Sequence, residues 1–379
     1  MKTSGFTQDI SKAEVLPHFP VTVPQVWKNG IIVRMPNHLG DAVMALPALM
    51  QLKKIVPQNC GLFVITPLYM RELYEALPDY VDGIITLSKM HSFWSKEELK
   101  QVHQLRCGAA VLFNHSPRDV MALRLAGIPK IYGAAARGRS ILLTRALRFG
   151  KRVPGDPSGS HQTSRYLAIA EALGAPPWDG TLPDFKVPVK PHELDYDISP
   201  FCSHSQLLLL CAGAAYGAAK RWPQENFHAV ADFWIRHGGI VAVLGSKGEY
   251  DIGQAVVDGL PENKCFNLCG KTGMFALIHL FRSACCTVGN DSGLMHLGAI
   301  LATRGIVPFG PTDFTDTGPV TPYWRIISDR VACAPCLKHS CPLQNRICMQ
   351  GLTASRMIRE LYAMVREFHL PFRKEKKKY

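Results

Sequence analysis

From Gly30 onward the chain repeats one arrangement: a short run in which nearly every residue is apolar, then a longer stretch with apolar residues every three or four positions. Gly30-Ile31-Ile32-Val33-Arg34 and Gly61-Leu62-Phe63-Val64-Ile65 predict buried strands, with helices following over 42–54 and 70–77. Ile84-Ile85-Thr86-Leu87 and Ala109-Ala110-Val111-Leu112-Phe113 continue the series. Between Pro176 and Pro200 periodicity disappears and prolines accumulate, the composition of an interdomain linker. A second series then starts at Gln206-Leu207-Leu208-Leu209-Leu210, with strands at 240–244, 284–288 and 305–309 and helices at 227–237 and 250–260. The last periodic stretch, 353–368, reads as a helix with one apolar face. Alternation of this kind builds mostly parallel sheets with helices on both faces. The expected organisation is therefore an α/β domain over 1–190, a second over 200–352, a C-terminal helix over 353–372 and a basic tail over 373–379.

Length supports two cores, since 379 residues exceed what one hydrophobic core ordinarily serves. No apolar run approaches the roughly 18 residues a membrane span needs. The opening Met1-Lys2-Thr3-Ser4-Gly5 leads into polar residues rather than a signal-peptide core, so a cytoplasmic protein is expected. Eight of the twelve cysteines are scattered, several of them inside apolar strand runs where a reduced thiol packs as a small hydrophobe.

Charge changes the picture more. The formal net charge is +13, and from Val120 to Gly155 the chain carries Arg124, Lys130, Arg137, Arg139, Arg145, Arg148, Lys151 and Arg152 with no acid. Such a field favours an acidic partner: nucleic acid, anionic lipid or a phosphorylated substrate. No helix-turn-helix or aromatic RNA-binding pattern accompanies it, so nucleic acid is not the expected partner.

Three segments carry candidate chemistry. Arg34-Met35-Pro36-Asn37-His38-Leu39-Gly40-Asp41 closes the first strand and leads into a helix; Asp41 is either a helix cap or a general base. The small-residue loop Cys211-Ala212-Gly213-Ala214-Ala215-Tyr216-Gly217-Ala218-Ala219-Lys220 joins a strand to a helix, so its backbone amides and the Lys220 ammonium suit a phosphate. It is neither a P-loop nor a dinucleotide fingerprint. Gly289-Asn290-Asp291-Ser292-Gly293-Leu294-Met295-His296 lies at a strand's carboxyl end and a helix's N-terminus, where open α/β sheets bind ligands.

These segments, in this order and together with Phe309-Gly310-Pro311-Thr312, resemble the family-nine glycosyltransferases, the lipopolysaccharide heptosyltransferases, over roughly residues 30–360. The resemblance implies a GT-B fold: two facing Rossmann-like domains with a cleft between them, acceptor on the first and ADP-heptose on the second. It makes Asp41 the base that deprotonates an acceptor hydroxyl and Lys220 the cation beside the donor diphosphate. Asp291, Ser292, Gly293 and His296 become the donor loop, and Glu249 a contact for the adenosine ribose. The implied reaction inverts the anomeric carbon and requires no cofactor. The implied acceptor is an anionic Kdo-bearing lipid A carrying one heptose, matched by Arg137, Arg139, Arg145 and Arg148 and met at the inner-membrane surface. A family member using another nucleotide sugar is the nearest alternative, and a nucleic-acid-binding protein the alternative of a different class.

Cys333-x2-Cys336-x4-Cys341-x6-Cys348 stands apart. Four thiols in sixteen residues could hold a structural zinc ion, or could be free.

Overall fold

A computed structural model describes residues 15–16, 27–90, 92–150, 161–215, 217–329 and 331–371. The basic tail at 373–379, Lys151, Arg152 and most of residues 1–29 lie outside the described residues. The chain divides into two units at the Lys186/Val187 junction.

The first unit holds β1 (Val15–Leu16), β2 (Gly30–Arg34), β3 (Gly61–Pro67), β4 (Gly83–Leu87), β5 (Ala109–Leu112), β6 (Lys130–Ala134) and β7 (Arg145–Phe149). They run in the order β1-β7-β6-β5-β2-β3-β4, all parallel except β1, which pairs antiparallel with β7. Strands β2 and β5 are buried along their whole length, which is why they read as unbroken apolar runs: a parallel strand covered on both faces has no polar side to alternate with.

The second unit holds β8 (Leu207–Cys211), β9 (Ile240–Val243), β10 (Cys265–Asn267), β11 (Cys286–Gly289), β12 (Gly305–Phe309) and β13 (Trp324–Ser328), all parallel, in the order β10-β9-β8-β11-β12-β13. The helix Ala354–Glu367 buries Met357, Leu361, Met364 and Val365 in the same cluster as Trp222, Trp234 and the strands β8 and β9. It is part of this unit's core.

Apart from β1, the two sheets share one strand order, counted within each unit as 3-2-1-4-5-6. The order reverses between β2 and β5 in the first unit and between β8 and β11 in the second, opening a crevice at the carboxyl ends of those strands. In the first unit that crevice is pinned by a buried ion pair. Arg34, at the end of β2 and fully buried, donates from Nε to Asp119 Oδ2 at 2.8 Å and from Nη2 to Asn37 Oδ1 at 2.6 Å. Trp94 Nε1 donates to the other Asp119 oxygen at 3.1 Å, and Asn114 adds a further bond to Oδ2. Burial pulls the Arg34 guanidinium down from its ordinary pKa while the Asp119 charge opposes that shift. Asp119 thus ties the loops after β2 and β5 to the helix Pro117–Leu125.

Replacing Asp119 with alanine leaves Arg34 buried without its counter-charge, so Asp119→Ala should lose about 3–5 kcal/mol of unfolding free energy. Denaturant unfolding measures this, and a loss below about 1 kcal/mol would show that Arg34 is satisfied by its backbone partners alone.

Candidate functional site

In the second unit the crevice brings together segments far apart in sequence. The loop after β8 ends in a short turn, Ala218–Lys220, and the loop after β11 leads into the helix Gly293–Ile300. Asn290 fastens one to the other. Its Oδ1 accepts from the Trp222 backbone N–H at 2.9 Å, and its Nδ2 donates to the Ala212 carbonyl at 2.7 Å. Held so, Lys220 Nζ reaches Asp291 Oδ2 at 2.6 Å, with the Lys220 side chain 12% and the Asp291 side chain 4% exposed. Thr312, in the loop after β12, donates its hydroxyl to the same oxygen at 2.7 Å. His296, one turn into the helix, stands 4.0 Å from Asp291 Oδ1. Lys220, Asp291 and His296 therefore converge.

Ser292 is the N-cap of that helix, yet its hydroxyl caps nothing: Oγ is buried with no hydrogen-bond partner among the described residues. A buried hydroxyl beside unpaired helix amides is a ready place for an anion or a ligand hydroxyl. Gly293 supplies the first helical amide without a side chain in the way. Glu249 closes the other side. Its carboxylate accepts from Ser246 N and Ser246 Oγ, both at 2.8 Å, in a capping box, and rests on Gly213, where an added Cβ would come 2.0 Å from Oε1. Glu249 thus serves as a local cap and also flanks the small-residue loop.

The first-unit crevice holds Asp41. It lies half-buried in the first turn of the helix Leu39–Met44, whose N-cap is His38, so Asp41 complements the helix dipole without being the cap residue. Its charge raises the pKa values of two neighbouring tyrosines, Tyr69 and Tyr166, after the larger effect of their burial. Asp41 thus acts electrostatically on Tyr69, in the loop after β3, and on Tyr166, in the helix Gln162–Glu171.

The basic run divides. Arg137, Arg145 and Arg148 are exposed, as an acceptor surface requires. Arg139, expected among them, is 1% exposed. Its guanidinium turns inward and donates from Nε and Nη2 to the Ala134 carbonyl at 3.0 and 2.9 Å, and burial lowers its pKa to about 10. Arg139 buttresses the 134–139 turn and offers no exposed face to a lipid.

The zinc expectation at Cys333, Cys336, Cys341 and Cys348 is not met: among the described residues, no three His, Cys, Asp or Glu side chains converge on a point that could hold a metal ion. The thiols are neighbours all the same. Burial raises the Cys348 pKa first, and the charges of Cys333, Cys336 and Cys341 raise it further. All four are free, graded from exposed Cys333 to buried Cys348. Their segment has a different task. The His339 carbonyl accepts from Ala219 N at 3.2 Å, Leu337 N donates to the Pro311 carbonyl at 2.8 Å, and Arg346 Nη1 donates to the Arg221 carbonyl at 3.4 Å. The cysteine-rich segment is a backing for the loop that carries Lys220.

One Asp-x-Asp triplet, Asp195-Tyr196-Asp197, occurs in the linker rather than at a strand end, and Asp197 Oδ1 accepts from the Ser199 N–H at 2.8 Å as a local turn contact. Three participants were given no role by the motifs: Thr312 and Arg34, whose segments carry candidate chemistry but whose partners are 21 and 85 residues away, and Asp119, the partner of Arg34. The one available signal was position, since Thr312 follows β12 as Asp291 follows β11.

With this geometry, comparison with known proteins is informative. Residues 118–347 match Glycosyltransferase family 9 (heptosyltransferase). Lipooligosaccharide heptosyltransferase 2 of Campylobacter jejuni is 27% identical over 356 residues, covering 90% of this chain and 99% of that protein. The enzyme of the same name from Haemophilus influenzae is 28% identical over 311 residues, covering 78% of this chain and 88% of that protein. Among solved structures, Escherichia coli ADP-heptose LPS heptosyltransferase II superposes with a TM-score of 0.70 at 24% identity, over 89% of this chain and 99% of that one. The shared fold is the two-domain α/β arrangement known as GT-B.

Gly217 tests the role of the backing segment. A Cβ there would lie 2.4 Å from the His339 carbonyl oxygen and 3.0 Å from its carbon, so backbone would have to move. Gly217→Ala should weaken binding of ADP by about tenfold, roughly 1.4 kcal/mol. Calorimetry with ADP measures it, and unchanged affinity would mean that the 333–348 segment does not set the position of the Lys220 loop.

Proposed function

The chain belongs to glycosyltransferase family 9, and from that premise we propose that it transfers heptose from ADP-heptose to the heptosylated Kdo-lipid A inner core of lipopolysaccharide. The observation that carries the reading is the Lys220–Asp291 pair at the carboxyl edge of the second sheet, in a chain similar over nearly its whole length to heptosyltransferase 2 enzymes.

In this mechanism Asp41 accepts the proton of the acceptor hydroxyl as its oxygen bonds to the anomeric carbon. The bond from that carbon to the diphosphate oxygen breaks on the opposite face, so configuration inverts and the electron pair leaves with ADP. A base is needed only as the acceptor O–H weakens, which suits a half-buried carboxylate on a fixed helix. Charge accumulating on ADP is met by Lys220, the Ser292 hydroxyl and the amides beginning at Gly293. These groups are positioned before reaction and cost no reorganisation during it. Asp291 aims Lys220, while Thr312 fixes Asp291. His296 and Glu249 complete the donor side, Glu249 from beside Gly213.

Peripheral attachment to the cytoplasmic face of the inner membrane is part of the same proposal. It is supported by Leu125 (73% exposed) and Ile141 (90% exposed), which stand among exposed Arg124, Arg137 and Arg145. Arg124 joins the two segments by donating to the Leu142 carbonyl at 3.2 Å. Apolar side chains amid cations are what an anionic interface attracts. No helix among the described residues is long and apolar enough to cross a membrane.

Following ADP release from a panel of nucleotide sugars with heptosylated Kdo-lipid A as acceptor tests the reading, and turnover of a different sugar in preference to ADP-heptose would replace it. Asp41→Asn should slow transfer about 10²–10⁴-fold with ADP affinity unchanged. A variant turning over near the wild-type rate would remove Asp41 from chemistry. Lys220→Ala should instead weaken ADP binding, measured by calorimetry, because the diphosphate loses a charge-assisted partner.

A further inference from the structure

The segment 333–348 braces the donor side while carrying four free thiols that no step of transfer uses. A metal ion needs three or four ligands on one point, whereas a disulfide needs only two sulfurs that can meet. Cys333 and Cys336 have the Cys-x2-Cys spacing of dithiols that exchange readily. Cys333 is exposed and Cys336 partly so, which lets a reagent in solution reach the first sulfur and find the second beside it. Cys348 is of a different kind. It is buried, and a Cβ added at Gly310 would come 2.9 Å from its Sγ, so it packs against the loop that carries Thr312. The charges of Cys333, Cys336 and Cys341 nevertheless reach it, which puts the four sulfurs in one neighbourhood.

The residues after Cys336 connect this dithiol to the donor crevice. Leu337 N–H donates to the Pro311 carbonyl at 2.8 Å, next to Thr312, and the His339 carbonyl accepts from Ala219 N at 3.2 Å, next to Lys220. Thr312 and Lys220 are the two side chains that share Asp291 Oδ2. Leu337 itself has φ +55°, in the left-handed region that a residue with a side chain adopts at a cost and keeps only while its contacts hold it. Gln344 and Arg346 are left-handed as well, with φ of +58° and +41°. The shape of the segment is therefore imposed by its contacts, and a new covalent bond at Cys336 pulls directly on its most constrained residue.

We propose that Cys333 and Cys336 form a reversible dithiol–disulfide site for a low-molecular-weight disulfide, and that closing the bridge draws Leu337 and His339 away from Pro311 and Ala219 and so weakens the donor crevice. In the step, the Cys333 thiolate attacks one sulfur of the reagent, forming a mixed disulfide and expelling one thiolate. The Cys336 thiolate then attacks Cys333 Sγ and expels the other. Two protein thiols lose two protons and two electrons in all, and the reagent disulfide gains them as two thiols. The effect on ADP rests on the donor-site reading; the bridge and its pull on the backbone do not.

The full chain equilibrated with glutathione disulfide, and in parallel with reduced glutathione, tests this. The oxidised sample should lose two thiols, and peptide mapping should find a Cys333–Cys336 bridge that dithiothreitol reverses. Hydrogen exchange at the Leu337 and Ala219 amides should be faster in the bridged form. Its Kd for ADP, by calorimetry, should rise about tenfold, the scale of one lost hydrogen bond to a charged group. Cys333→Ser, at an exposed position, should abolish both the bridge and the difference between the two conditions, whereas Cys60→Ser in the first unit should keep both. A bridge to any other cysteine, no bridge, a metal ion bound stoichiometrically by these thiols, or a bridged protein with unchanged amide exchange overturns the proposal. So does unchanged ADP affinity in a bridged protein that binds ADP when reduced. If the reduced protein binds no ADP, the donor reading falls, and mapping with amide exchange decides the dithiol site without it.

Discussion

Both halves of this protein depend on a carboxylate buried against a cation at the place where strand order reverses. A parallel sheet is covered on both faces by helices, so the crevice at the reversal is the one place where its edge can admit a ligand. Loops converging there leave polar groups that water cannot reach. Asp119 with Arg34 satisfies them in the first unit, and Asp291 with Lys220 does so in the second. The two pairs differ in one respect that bears on function. Arg34 is fully buried and bonded on several sides, so it is structural. Lys220 is 12% exposed at its side chain, and the neighbouring Ser292 hydroxyl has no hydrogen-bond partner among the described residues, so the second crevice is built to receive something.

The second crevice is also braced from behind. A loop made of Gly, Ala and Lys has few side chains with which to hold its own shape, and its position must be imposed by contacts. Those contacts come from the segment 333–348, through the His339 carbonyl and Arg346, and from Trp222, whose Nε1 donates to the Leu352 carbonyl at 2.6 Å. Gly217 makes the fit possible, since any side chain there would meet the His339 backbone. Small residues that leave room for a phosphate also leave room for a supporting strand of backbone, and the chain uses both.

Positive charge is distributed by the same economy. Within one acid-free run, Arg139 is used as a buried prop and its neighbours remain on the surface. Arg165, on the helix Gln162–Glu171, borders a cavity at the carboxyl ends of β5 and β6 although nothing in its local sequence marks it.

Much of this was legible in the chain. Unbroken apolar runs alternating with helical periodicity indicate two parallel α/β units, because burial on both faces leaves its mark on each strand separately. The motifs after β2, β8 and β11 read as ligand loops because a strand end, small residues and a helix start are contiguous in sequence. Local pattern could not tell that Thr312 would share an oxygen of Asp291 with Lys220, that Asp119 would answer Arg34 across 85 residues, or that four cysteines within sixteen residues would not converge on a metal site among the described residues. Nor could it separate Arg139 from Arg137, two positions away, one turned inward onto Ala134 and the other exposed. Hydrophobic period is set by the burial of each element alone. The direction of a side chain, and the partner it meets, depend on which loops the finished sheet brings to the same edge.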